Sequence, residues 1–107
     1  MFGDHVKKEL EYAEGLRKRI EDLDKEFYMI SKKIDKEIMK LGEEYDKKII
    51  DARKRGNIEE EKRLLKELEI KVHQLEKRKE DQTRPILVEI EKLQEEWLNA
   101  LRRISGS

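Results

Sequence analysis

His73 follows Glu69 by four residues and precedes Glu76 by three, a spacing that lines one imidazole and two carboxylates along one helix face. Such a face could offer nitrogen and oxygen ligands to a divalent cation. Carboxylate-bridged bundle sites, however, use Glu-x-x-His with further carboxylates from other helices, and here the order is reversed. With 19 glutamates in the chain, acids flank many residues by chance. His73 therefore reads as a solvated histidine beside an apolar seam, and His5 stands near an end where a helix frays. No metal and no cofactor are expected.

Other chemistry finds no foothold. No serine or threonine occupies a nucleophile context, and "RGN" at 55–57 is too short for a phosphate-cradling loop. Acid–base work by paired carboxylates needs a concave apolar setting that shifts a pKa, which solvated helices do not offer. No enzymatic activity is expected. Lys47, Lys48, Arg53, Lys54, Arg55, Lys62, Arg63 and Lys66 surround one point of the chain, but Asp51, Glu59, Glu60 and Glu61 interleave with them. No aromatic stands close enough to stack on bases, and compensation of helix dipoles accounts for the cluster.

Composition agrees. Lys plus Arg and Asp plus Glu both number 26, for a net charge of zero, which argues against a dedicated nucleic-acid or anionic-membrane surface. The absence of cysteine excludes disulfides and thiolate chemistry. No apolar run approaches the roughly 20 residues that span a bilayer, and "MFGDHVKKELEY" lacks a signal-peptide core. A cytoplasmic location is the expectation. Charged residues make up 49% of the chain, and Glu, Lys, Arg, Leu and Ala together exceed half of it, as in long helices and coiled coils.

The elements that must carry any site follow from periodicity. Val6, Leu10, Ala13, Leu16, Ile20, Leu23, Phe27, Ile30, Ile34, Ile38, Leu41, Tyr45, Ile49 and Ala52 recur every three or four residues, predicting one helix over about 4–55 with Asp4 as its cap. Gly15 and Gly42 lie beside the stripe as close-packing or flexing points. Gly56 is the left-handed residue that ends the helix, and Asn57 caps the next with Glu60 as capping-box partner. A second stripe runs through Leu64/Leu65, Leu68, Val72, Leu75, Ile86, Ile90, Leu93, Trp97, Leu101 and Ile104, predicting a helix over about 58–104. Between Leu75 and Ile86 the seam falls on Lys79 and Gln82 and turns polar.

Folded about 56–57, residue i faces roughly residue 113 − i. The core is then Leu16, Ile20, Leu23, Ile34, Ile38, Leu41, Tyr45, Leu68, Val72, Leu75, Ile90, Leu93 and Trp97, with Trp97 beside Gly15 and Gln82 opposite Ser31. The fold class expected is all-α: a single domain over 1–107, a long antiparallel helical hairpin with a tail at 105–107. Pro85 deletes the hydrogen bond to the Asp81 carbonyl and disfavours helical angles at Arg84. It kinks the second helix or, in the alternative, starts a third after a turn at 81–85, giving a three-helix bundle.

Near the proline, apolar residues exceed what one seam needs. Phe27, Tyr28, Met29 and Ile30 lie across from Pro85, Ile86, Leu87 and Val88. A stripe wider than two positions in seven belongs to a helix with two neighbours, so these eight residues are the expected interface of a homodimeric four-helix bundle. The alternative is a monomeric binding module that presents the same patch to another protein. The balanced charges, the capped turn, the exposed Glu/Lys pairs such as Glu14–Lys18 and Glu67–Lys71, and the absent cysteine resemble computationally designed helical bundles or, alternatively, a hyperthermophile coiled coil. That resemblance implies a structural, self-assembling role.

Overall fold

The computed structural model describes residues 2–106; Met1, and Ser107 of the expected tail, lie outside the described residues. Two helices make up this stretch: α1, Phe2–Lys54, and α2, Ile58–Ser105. They pack antiparallel as a helical hairpin. Because α1 begins at Phe2, Asp4 stands in its first turn instead of capping it, where a carboxylate still complements the helix dipole. Ser105 is helical, and the Gly106 amide donates to the Arg102 carbonyl at 2.9 Å.

The chain divides into two compact units. A turn unit comprises Ile30–Gln82, and a terminal unit comprises the residues through Met29 with those from Thr83 onward. In the turn unit Tyr45, Ile49, Ala52 and Leu64 form a buried cluster, with Leu41 and Leu68 packed against it. In the terminal unit Ala13, Leu16, Ile20, Leu23, Ile86, Ile90, Leu93 and Ala100 are buried.

Polar contacts across the helices report the register. In the turn unit Tyr45 donates to Glu67 at 3.2 Å, Lys79 to Asp35 at 2.9 Å, Arg53 to Glu61 at 2.7 Å, and Arg78 to Glu37. Their residue numbers sum to between 112 and 115. In the terminal unit Tyr12 donates to Glu96 at 3.4 Å and Arg103 to Glu9 at 3.2 Å, summing to 108 and 112. The 113 − i pairing is thus close to the observed one within each unit.

The turn closes as the sequence predicts. Gly56 has φ 70°, in the left-handed region that glycine adopts without steric cost. The Asn57 amide donates to the Ala52 carbonyl at 2.9 Å and the Gly56 amide to the Arg53 carbonyl at 3.0 Å, a Schellman closure. The Asn57 side-chain oxygen then accepts from the Glu60 amide at 3.1 Å. Its amide nitrogen donates to the Glu60 carboxylate at 3.1 Å. That side-chain bond replaces the usual second half of a capping box, because the Asn57 backbone N–H is already held by Ala52.

Three expectations need correction. No third helix starts near the proline: Pro85 lies inside α2, and Arg84 keeps helical conformation. The proline stands exposed between buried Thr83 and Ile86, which tie the helix down on both sides of the lost bond. Thr83, 5% exposed, takes the inward position and Gln82 is exposed, so Gln82 does not form the polar layer with Ser31. And Trp97 does not fill a gap at Gly15, where an added Cβ would meet nothing within 4 Å.

Candidate interaction surface

The core residues named from the sequence are buried (Leu16, Ile20, Leu23, Ile34, Tyr45, Ile90, Leu93) or half-buried (Ile38, Leu41, Leu68, Val72, Leu75, Trp97). The proposed interface divides differently. Ile86 is buried, Phe27 and Ile30 are half-buried, and Pro85 is exposed, as are Leu87, Val88, Tyr28 at 63% and Met29 at 70%.

At two points the seam takes a smaller or more polar residue than the leucine beside it. Half-buried Glu9 is taken over exposed Leu10, and Ala100, 0% exposed, over Leu101. Leu64 is buried and Leu65 exposed. Each displaced leucine is the residue that immediately follows a seam residue.

This position has a defined direction. The next residue lies about 100° further round the helix, and because the two helices run oppositely, positions following the seam on either helix fall on the same side of the pair. Positions preceding the seam fall on the other side. In the terminal unit Leu10, Tyr28, Leu87, Leu98 and Leu101 occupy the following side; in the turn unit Met39, Ile50 and Leu65 do. All eight are exposed. Met29, which precedes Ile30, and Val88, which points outward, lie elsewhere, so the eight residues near the proline do not form one face.

Three cross-helix polar contacts lie on the preceding side: Tyr12–Glu96 in the terminal unit, Glu37–Arg78 and Tyr45–Glu67 in the turn unit. Tyr45, 3% exposed, is the densest point. The ammonium groups of Lys48 and Lys71 stand 5.0 and 5.1 Å from its ring centroid. The neighbouring Tyr45 hydroxyl is the largest influence pushing Lys71 above its ordinary value of 10.5; Glu67 and Glu44 add to this, and burial opposes it. On the following side the turn unit has a shallow groove on α2 lined by Leu65, Leu68, Glu69, Val72, His73 and Glu76. Two ion pairs reach this side, Asp35–Lys79 and Arg53–Glu61.

Around the turn Arg53 pairs with Glu61, Arg55 with Asp51 and Glu60, and Arg63 with Glu60 and Glu67. Among the described residues no group of three or more His, Asp or Glu side chains converges as metal ligands, and no helix is long and apolar enough to cross a membrane. The Ser31 hydroxyl oxygen is buried without a hydrogen-bond partner. Sequence reasoning missed Ala100 and Thr83 as inward residues; the three–four spacing through 79, 83, 86, 90, 93, 97 and 100 was the signal that could have found both.

No protein-family model matches the chain, and no curated protein or solved structure shows significant similarity to it.

Proposed function

We propose that this chain is a non-enzymatic assembly protein, a helical hairpin that associates with a second copy of itself into a four-helix bundle. One observation carries the reading: within each unit, exposed leucine, isoleucine, methionine and tyrosine side chains of both helices lie on the side following the seam. Surface area supports it. A folded monomer of 13.0 kDa exposes about 6,300 Å², whereas this chain exposes 8605 Å². The excess of roughly 2,300 Å² is ample beside the ~800 Å² per partner of a standard interface.

Sedimentation equilibrium over a wide dilution range tests the proposal. A mass of twice 13.0 kDa that dissociates on dilution is the expected result. A helical monomer at every concentration would refute self-association and leave the exposed leucines as a surface for a different protein.

A further inference from the structure

We infer that the second copy docks on the turn unit, antiparallel, about a two-fold axis that passes Glu69 of α2 and the Gly42–Asp46 stretch of α1. The inference rests on the self-association proposed above and specifies its surface.

The following side of the turn unit consists of Asp35, Met39, Gly42, Asp46, Ile50 and Arg53 on α1, facing the same way as Lys62, Leu65, Glu69, His73, Glu76 and Glu80 on α2. Its charge is polarised along α2. Lys62 lies at the end near the turn, where Arg53 is paired with Glu61, and Glu76 lies at the far end, where Asp35 is paired with Lys79. Its apolar side chains, Met39, Ile50 and Leu65, lie between, beside the groove floored by Leu68 and Val72. An isologous interface requires residue i to meet residue j and j to meet i. Turning a second copy end for end sets the basic end of each on the acidic end of the other.

The register is specific. On α2, Lys62 and Glu76 are each seven residues from Glu69, about 10 Å along the axis, so a two-fold at Glu69 places Lys62 on the partner copy's acid at 76 twice over and Leu65 near the imidazole at 73. On α1, Met39 with Ile50 has its midpoint between 44 and 45, and Asp35 with Arg53 has its midpoint at 44. The two midpoints, 69 and 44–45, sum to about 113, the pairing that Tyr45–Glu67 and Asp35–Lys79 show inside the unit. One axis therefore serves both helices.

Gly42 fits this placement. A helix-interior glycine is unfavourable, and nothing inside this chain requires it, since a Cβ there would meet no atom within 4 Å. It lies on the docking side next to the axis, where α1 would cross its copy most closely.

The test is a charge exchange read by sedimentation equilibrium on the full chain. Lys62 and Glu76 lie about 21 Å apart on one helix, too far to compensate each other within a chain. Lys62→Glu alone and Glu76→Lys alone should each weaken the dimer about tenfold, because each reverses two surface pairs. An equimolar mixture of the two single variants should recover wild-type association as a heterodimer, as should the double variant. Glu69→Gln, which removes a like-charge contact on the axis, should tighten the dimer. Gly42→Leu should weaken it while the helicity of the chain holds or rises. A dimer indifferent to the charge exchange would overturn this surface and leave self-association standing; a chain that never dimerises would overturn both.

Discussion

Ala100→Leu separates the observed seam from the one that hydrophobicity suggests. Ala100 is 0% exposed, and the register set by Arg103–Glu9 brings it opposite Ala13, itself buried. Two alanines facing each other let the helices approach closely. A leucine adds about three carbon atoms at a fully buried position, and overpacking of this kind costs about 1–3 kcal/mol. With a urea dependence of about 2 kcal/mol per molar for a domain of this size, the midpoint should fall by roughly 1 M. The neighbouring Leu101→Ala supplies the contrast. Leu101 is already 37% exposed and alanine is the better helix former, so that change should cost under about 1 kcal/mol. Urea titrations followed by circular dichroism, at a dilution where the chain is monomeric, measure both. If Leu101→Ala proves the more damaging, with Ala100→Leu neutral or stabilising, the seam runs through Leu101 and the packing argued here is wrong.

Three further perturbations have definite signs. Pro85→Ala should stabilise the hairpin by about 2–3 kcal/mol, because Pro85 is exposed and its replacement restores the Asp81 bond without loss of packing; a lower thermal midpoint would show that the proline is needed where it stands. Asn57→Ala removes the acceptor for the Glu60 amide and should cost about 1 kcal/mol in the same melt, whereas no change would mean water caps α2 equally well. Tyr45→Phe removes the donor to Glu67 and should cost about 1 kcal/mol. It also removes the largest causes of the raised Lys71 pKa. A raised folded-state value means that this contribution is fully present below 10.5 and is lost as pH climbs through the folded-state value. In the variant the Lys71 side chain should titrate nearer 10.5 by NMR; an unchanged titration would detach Lys71 from Tyr45.

The two helices and the turn were legible because their signals are local. A glycine followed by a capping asparagine needs no tertiary context, and a stripe at three–four spacing identifies a helix whatever it packs against. The seam was less legible, for a physical reason. Ranking positions by side-chain hydrophobicity favours Leu10 over Glu9 and Leu101 over Ala100, but a two-helix seam also rewards small side chains that let backbones approach, and long ones that bury a stem while keeping a charge in water. Lys79 and Glu9 are of the second kind. Pro85 was ambiguous because its local effect, one lost hydrogen bond and strain at Arg84, is of the same order as the packing of Thr83 and Ile86 that opposes it. The eight residues near the proline were read as one collar because sequence proximity says nothing of direction round a helix; Met29 and Val88 point away from the face that Tyr28 and Leu87 share.

Apolar and polar contacts between the helices specify different things. Apolar heptads match themselves after a slip of seven residues, so the seam alone leaves the helices free to pair in several registers at similar cost. Polar contacts do not repeat in that way. A seven-residue slip, about 10 Å, separates Tyr45 from Glu67 and Arg78 from Glu37 in the turn unit, and Tyr12 from Glu96 in the terminal unit. Each exposed pair contributes little alone, yet all of them oppose the same error, and the turn at 55–57 adds a constraint of its own. With the register held by these polar contacts and by Asp35–Lys79 and Arg53–Glu61, exposed apolar side chains can accumulate beside the seam without endangering the fold of the single chain. The same logic then applies between copies: Met39, Ile50 and Leu65 would bring two turn units together, and the polarised row from Lys62 to Glu76 would decide how they align.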